Sequence, residues 1–300
     1  MTLILKKPDE APAIPAAFLS VIGTDAPEIL RYFDDSVYDK EKGYNTYKLT
    51  SPKGAFVLKK YAYPEDLEDE LKQYSRLFGM PVPKLLGASE GMILMEHVPG
   101  DDLKLPTDDG IRAFAKSLTM IMNAYPMGRG YAGERYERYM KRLEKRAGCL
   151  ENEPKLKAGF ALFCERQKDI PLTLSNADLL PINVLYDGEK ATVIDWEFGG
   201  FLPYALDIAR FIAHSRENGE VTGFRMTEAQ KRLFLDLVYV GLENKPSREA
   251  YDRDIRLALL NEYVEILEYY LGDPTAERGA VYNDYYPRAN RLAESLIAEG

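Results

Sequence analysis

Two acids and one amide have the types and spacing needed for chemistry on phosphate. Asp178 stands five residues before Asn183 in Asn176-Ala177-Asp178-Leu179-Leu180-Pro181-Ile182-Asn183, and a second acid follows in Val193-Ile194-Asp195-Trp196-Glu197. Phosphoryl transfer needs a group that accepts the attacking hydroxyl's proton and orients that hydroxyl. It also needs oxygen ligands for the Mg²⁺ that bridges the phosphates. Asp178 suits the first role, and Asn183 with Asp195 suits the second. Alone, Asp178 would read as a helix N-cap and Asn183 as a turn residue. The second acid, together with a lysine-bearing strand upstream, tips the reading towards catalysis.

These residues need a platform, and the local pattern supplies one. Asn183-Val184-Leu185-Tyr186 and Ala191-Thr192-Val193-Ile194 are short β-like runs around Asp187-Gly188, a strong hairpin signal. The surroundings are helical in texture, with helices expected over 111–124, 136–146, 155–167, 227–243, 248–271 and 287–298. Before Gly100 the texture differs. Strands are expected over 44–50 and 54–61, joined by the turn Ser51-Pro52-Lys53-Gly54, and again over 84–88 and 92–96. Between the pairs, 65–78 reads as a helix: Pro64 precedes it, acids crowd its first turn, Leu67, Leu71, Tyr74 and Leu77 recur at helical spacing, and Gly79 follows. The boundary between the textures is expected near Val98-Pro99-Gly100, dividing the chain into 1–97 and 98–300.

The D-x-x-x-x-N spacing followed by an acid on a strand is that of the protein-kinase catalytic loop. The stretch resembles more closely the aminoglycoside phosphotransferase family, small-molecule kinases of protein-kinase-like fold. Members typically read H-G-D-x-x-x-x-N-x-L, then I-D-[WF]-[ED], then D-[LI]-A, and Ile194-Asp195-Trp196-Glu197 and Asp207-Ile208-Ala209 match the last two. The loop departs from the pattern at Asn176, where His is usual, and at Ala177, where Gly is usual. In related kinases that His is a scaffold, and Asn can keep one such hydrogen bond. Asp207 is expected to tie the loop to the following helix.

The resemblance extends upstream and implies further site residues. Phe56-Val57-Leu58-Lys59 parallels the V-A-I-K strand whose lysine holds the α/β-phosphates. Lys59 and Lys60 alternate between faces, so only one can point at a nucleotide, and the motif register selects Lys59. Its implied partner is Glu70, with Glu68 second in line. Ile93-Leu94-Met95-Glu96-His97-Val98-Pro99-Gly100 resembles the family hinge, where backbone groups near Glu96 and Val98 would bond the adenine edge. Lys42-Gly43-Tyr44-Asn45-Thr46-Tyr47 has one glycine and resembles the family's shorter nucleotide-covering loop, which implies contacts from Asn45 and Thr46. The resemblance spans about Gly43 to Ala213 and implies an α+β, protein-kinase-like two-lobed fold. The first lobe is small and β-rich with one helix, and the second is larger and mainly helical. ATP is the implied cofactor, with GTP left open, together with Mg²⁺.

Composition narrows the alternatives. The 300 residues are 46% hydrophobic and 29% charged, an ordinary globular make-up that excludes disordered, collagenous and disulfide-scaffold classes. A net charge of -9 argues against a nucleic-acid partner, which rewards clustered Lys and Arg. No apolar run approaches the ~18 residues that span a bilayer, and the acids in MTLILKKPDE argue against export, so a cytoplasmic location is expected. His97 and His214 leave little for a zinc centre, and Cys149 and Cys164 read as small apolar helix residues.

The acceptor is the least legible part. The resemblance implies a hydroxyl on a small polar molecule of aminoglycoside or amino-alcohol type, cationic acceptors included. Twenty-one tyrosines are present, and a late group (Tyr263, Tyr269, Tyr270, Tyr282, Tyr285, Tyr286) lies among Glu262, Glu265, Glu268 and Asp284. Such a group could cradle a cation or simply half-bury amphipathic helices. A protein kinase is disfavoured, because Asp207 follows Glu197 by only ten positions and no A-P-E segment follows. A nucleotide-binding pseudokinase is the alternative that Asn176 keeps in view. Oligomeric state is left open.

Overall fold

The computed structural model describes residues 3–34, 43–273 and 275–299. Strands β1 (Leu3–Lys6), β2 (Glu28–Asp34), β3 (Gly43–Ser51), β4 (Gly54–Lys60), β5 (Leu85–Ser89) and β6 (Met92–Glu96) form one antiparallel sheet in the order β1-β2-β3-β4-β6-β5. The expected turn closes β3 on β4 with Ser51 opposite Gly54, whose φ of 125° suits glycine. Period-two alternation gives β4 two different faces. Phe56 and Leu58 are buried with Phe18 and Ile22 of helix α1 (Ala16–Ile22). Val57 faces the other way with Tyr61, towards helix α2 (Pro64–Arg76). Leu67, Leu71 and Tyr74 form the stripe that α2 lays on that face. Each such side chain contributes about 1.5–3 kcal/mol when fully buried.

Strands β1 and β2 and helix α1 precede the first strand expected from the sequence, at 44–50. Their physical signal is weak. Helix α1 has seven residues between Pro15 and Gly23, too few for a periodic stripe, and β2 mixes charged with apolar residues in Glu-Ile-Leu-Arg-Tyr-Phe-Asp. The amino-terminal part therefore carries a second, short helix beside the expected one.

After Glu96 the chain crosses to a helical body through β7 (Asp101–Asp102), which pairs with the hairpin strand β9 (Val184–Tyr186). Gly100 permits this crossing: its φ is 117°, and a Cβ there would come within 2.5 Å of the Tyr186 carbonyl oxygen. The body comprises α3 (Asp108–Met122), α4 (Glu134–Gly148), α5 (Pro154–Gln167), α6 (Ala205–Ala213), α7 (Glu228–Gly241), α8 (Arg248–Gly272) and α9 (Ala280–Ala298). Phe114, Phe211 and Phe234 join α3, α6 and α7, with ring centroids 4.4–5.4 Å apart. Side-chain caps mark several starts: Thr107 for α3, Thr227 with Gln230 in a capping box for α7, and Ser247 for α8. The expected last helix began too late. Pro287 reads as a start signal, yet it lies inside α9, which begins at Ala280 after Gly279.

Between α5 and α6 lie the elements that hold the loops. Strand β8 (Leu172–Ser175) pairs with β11 (Gly200–Pro203), and β9 forms the expected hairpin with β10 (Ala191–Val193). Among the described residues no helix is long and apolar enough to cross a membrane.

Candidate active site

Strand alternation sends Lys59 to the α2 side of the sheet, and Lys60 is exposed on the other. The Lys59 ammonium lies 2.9 Å from each of three carboxylates: Glu70 Oε2, Asp195 Oδ1 and Glu197 Oε2. Glu70 is the member of α2 that reaches it, because Glu70 shares the buried face with Tyr74, whereas Glu68 is exposed. The Tyr61 hydroxyl also donates to Glu70 Oε2. Burial alone would lower the Lys59 pKa, but Asp195 and Glu70 outweigh it and hold the ammonium well above its ordinary value.

The second half of the cluster is a loop delivered by β8. Buried Asp207, in the first turn of α6, accepts from the Ser175 hydroxyl at 2.9 Å, from Asn176 N–H at 2.7 Å and from Ala177 N–H at 2.9 Å. It ties the loop to the helix, as the sequence suggests. Asn176, standing where His is usual, donates its Nδ2 to the carbonyls of Ile194 at 3.2 Å and Asp195 at 2.7 Å. The amide therefore binds the loop to the acid-bearing segment through two carbonyls. Ala177 has φ 67° and Asp195 φ 58°, so both hold left-handed backbone that non-glycine residues seldom adopt.

Asp178 follows Ala177 and is half-buried. Its Oδ1 accepts from Arg210 Nε at 2.9 Å and Nη2 at 2.6 Å. Burial pushes its carboxyl above the ordinary carboxylate range, Arg210 opposes that rise, and Asp195 adds to it. Asn183 sits at the end of a 3₁₀ turn, Pro181–Asn183, and its Nδ2 donates to the Asp178 carbonyl at 2.7 Å. Ile194 N–H donates to the Asn183 carbonyl at 2.9 Å. Asp178, Asn183 and Asp195 are thus parts of one hydrogen-bonded unit.

The implied nucleotide-contact residues occupy the sheet and its exit. Thr46 is directly opposite Lys59 in the β3–β4 register and shares its face. Asn45 is exposed, alternation puts it on the other face, and its Oδ1 lies 3.5 Å from Arg31. The structure brings Thr46 beside Lys59 and leaves Asn45 outside that group. Lys42, the first residue of the covering-loop motif, lies outside the described residues. Glu96 ends β6, and its N–H donates to the Lys84 carbonyl at 3.0 Å. Half-buried Val98 follows in the irregular stretch before Gly100.

The oxygen-rich donor set fits a hard divalent cation. Carboxylate oxygens of Glu70, Asp195 and Glu197 lie within 4.8 Å of one another, and Glu70 Oε1 is buried without a hydrogen-bond partner. Sequence reasoning assigned no role to Glu197, although it is two residues beyond Asp195 in the quoted motif. It also missed Arg210, whose signal is its place one turn after Asp207. Glu262, singled out only as a member of the late acid and tyrosine group, accepts from Arg210 at 2.8 Å.

The acidic residues of the late tyrosine group are engaged by arginines. Glu262 pairs with Arg210, Glu265 and Glu268 with Arg146, and Asp284 with Arg216 and Arg288. His214 is buried, 2.7 Å from the Tyr285 hydroxyl and 3.3 Å from Glu262. Beside the Asp178 loop, a pocket is lined by Tyr139, Arg142, Arg146, Arg210, Glu262 and Glu265, among others.

Comparison with known proteins bears on the family and the fold. The family model described as "Phosphotransferase enzyme family" matches residues 41–237. Protein LicA of Haemophilus influenzae is 31% identical over 94 residues, a match that spans 30% of this chain and 28% of that relative. The crystal structure of choline kinase LicA from Streptococcus pneumoniae superposes with TM-score 0.60 at 13% identity, covering 93% of this chain and 96% of that one. A structure of LicA in complex with AMP gives 0.58 at 13% identity, with 93% and 96% coverage. An aminoglycoside phosphotransferase from Alicyclobacillus acidocaldarius gives 0.58 at 15% identity, with 97% and 96% coverage. At these identities the superpositions establish the fold, which is protein-kinase-like and α+β. The family match covers most of the chain and includes every residue of the cluster around Lys59 and Asp178, so this chain belongs to the phosphotransferase enzyme family.

Proposed function

We propose that this enzyme transfers the γ-phosphoryl group of ATP to a hydroxyl of a small polar acceptor, of the amino-alcohol or aminoglycoside class. The observation that carries the reading is the meeting of Lys59, Glu70, Asp195 and Glu197 beside the Asp178–Asn183 loop. In this reading Lys59 binds the α/β-phosphates and is oriented by Glu70, while Thr46, Glu96 and Val98 contact the nucleotide between lobes joined near residues 97 and 98. Asp178 orients the acceptor hydroxyl and takes its proton. Mg²⁺ would be held by Asn183 and Asp195, with Glu197 in reach, and would supply charge neutralisation at the phosphates. The acceptor class is supported by the choline kinase and aminoglycoside phosphotransferase that share the fold.

The test is acceptor-dependent ADP release from Mg·ATP across choline, ethanolamine, aminoglycosides and sugars, with Asp178→Ala as control. Release that requires one acceptor and disappears in the variant is the expected result. Mg·ATP binding with no acceptor-dependent release from the whole panel would favour a regulatory nucleotide-binding role.

A further inference from the structure

Helix α2 is fastened on two sides. Glu70 faces the sheet and Lys59. Asp69 lies about 100° away round the helix and faces the helical body. There Asp69 Oδ2 accepts from Arg135 Nη2 at 3.1 Å and Arg138 Nη2 at 3.0 Å. Arg135 is the more sheltered of the two, 19% exposed against 48%. The same Nη2 of Arg135 donates to the Glu197 carbonyl at 3.2 Å, and a Cβ on Gly200 would come within 2.7 Å of Arg135 Cγ.

One turn along α2, buried Gln73 donates to the Asp69 carbonyl at 3.2 Å and accepts from Arg76 at 3.0 Å. A Cβ on Gly199 would lie 3.1 Å from Gln73 Cγ, and the Arg76 guanidinium sits 5.0 Å from the Phe201 ring centroid. The outer side of α2 therefore rests on the segment that follows Asp195. The contacts close a ring: Lys59 to Glu70, along one residue of helix to Asp69, across to Arg135, on to Glu197, and back to Lys59.

We propose that Asp69 and Arg135 are positioning residues that hold Glu70 against Lys59 by fastening α2 to the segment carrying Asp195 and Glu197. The proposal rests on the reading of Lys59 as the nucleotide's lysine. Partly exposed ion pairs add little to global stability, so the pair's effect lies in the geometry it selects. If sheet and helical body shift relative to each other, Glu70 stays at Lys59 only while α2 is tied to both. Releasing Asp69 lowers the fraction of molecules with Glu70 in place, and apparent nucleotide affinity falls with that fraction.

The experiment measures Mg·ATP affinity of the full chain by calorimetry for wild type, Asp69→Asn, Arg135→Gln and Asp69→Glu, each also with Lys59→Ala. Asp69→Asn and Arg135→Gln should each weaken binding by on the order of fivefold, and Asp69→Glu should retain most of it. In the Lys59→Ala background the same substitutions should have no further effect, because their route runs through that lysine. Equal affinity in Asp69→Asn and wild type overturns the proposal, as does the same weakening in both backgrounds. If Lys59→Ala abolishes measurable binding, hydrogen exchange over residues 64–76 decides. Faster exchange there in Asp69→Asn is expected, and unchanged exchange overturns the proposal. Wild-type protein that binds no Mg·ATP would remove the nucleotide reading itself, whereas indifferent Asp69 variants of a binding protein remove this proposal alone.

Discussion

Arg210 grips one oxygen of Asp178 with two N–H groups, at 2.9 and 2.6 Å, while its other terminal nitrogen reaches Glu262 at 2.8 Å. The proposed proton acceptor is thereby tied to α8 through one guanidinium, and its carboxyl has a fixed heading.

Arg210→Gln removes that grip. We expect kcat to fall on the order of 100-fold from misplacement of Asp178, with little change in nucleotide affinity. The pH profile adds a second readout. Burial raises the Asp178 pKa and Arg210 lowers it, so losing Arg210 raises it further. The acid-side fall in kcat should move to higher pH in the variant, and a profile with an unmoved acid limb would contradict the assignment of Asp178.

Ala177→Gly should stabilise the protein. At φ 67° an alanine carries a left-handed penalty of about 1–2 kcal/mol, partly offset by the greater unfolded-state freedom of glycine. A net gain of about 0.5–1 kcal/mol corresponds to a thermal midpoint higher by about 1–3 °C. A midpoint that falls instead would mean that the alanine methyl packs for more than the backbone loses.

Asp207 predicts a pH-dependent stability difference. Burial pushes its carboxyl up to about 6, against the opposing donors of Asn176, Ser175 and Ala177. Its folded pKa is above the unfolded one, so between the two values the folded state binds more protons. The group's contribution is therefore most favourable below about pH 4 and is lost as pH rises through about 6. Urea denaturation of wild type and Asp207→Asn at several pH values checks this. The variant should lack the part of the slope between those values that Asp207 supplies, and parallel curves would refute it.

Gly100→Ala should weaken the crossing between sheet and helical body. The new methyl would meet the Tyr186 carbonyl at 2.5 Å on a backbone of φ 117°. A loss of about 1–3 kcal/mol is expected, read as a lower midpoint in thermal denaturation. A midpoint equal to wild type would show that β7 can leave β9 at no penalty.

The sequence makes parts of this arrangement legible because their signals are local. The D-x-x-x-x-N spacing, the strand around Lys59 and the acidic-start helix of Glu70 are each contained in one short stretch of chain, and the structure brings Lys59, Glu70 and Asp195 together. What was hidden depends on tertiary proximity. Arg210 and Glu262 are 52 residues apart, and nothing local in the sequence pairs them. The late carboxylates suggested a cradle for a cation, yet the cations they meet are arginines of α4, α6 and α9 and of the segment following α6, which only packing reveals. Asn45 shows the limit of motif matching on a strand, where a one-residue step changes the face a side chain occupies.

Lys59 and Asp195 are 136 residues apart in the chain. Their contact closes a long loop, and contacts of such separation form late because the closure entropy must be met before they reward it. The sheet is complete at Glu96, well before synthesis reaches either acid of the 195–197 segment. With that sheet alone, the outer side of α2 would face water, because its partners Arg135, Arg138 and Gly199 lie further along the chain. The Lys59–Asp195 contact therefore joins two distant parts of the chain, and Trp196, the single tryptophan, lies inside the segment that completes the acidic cluster.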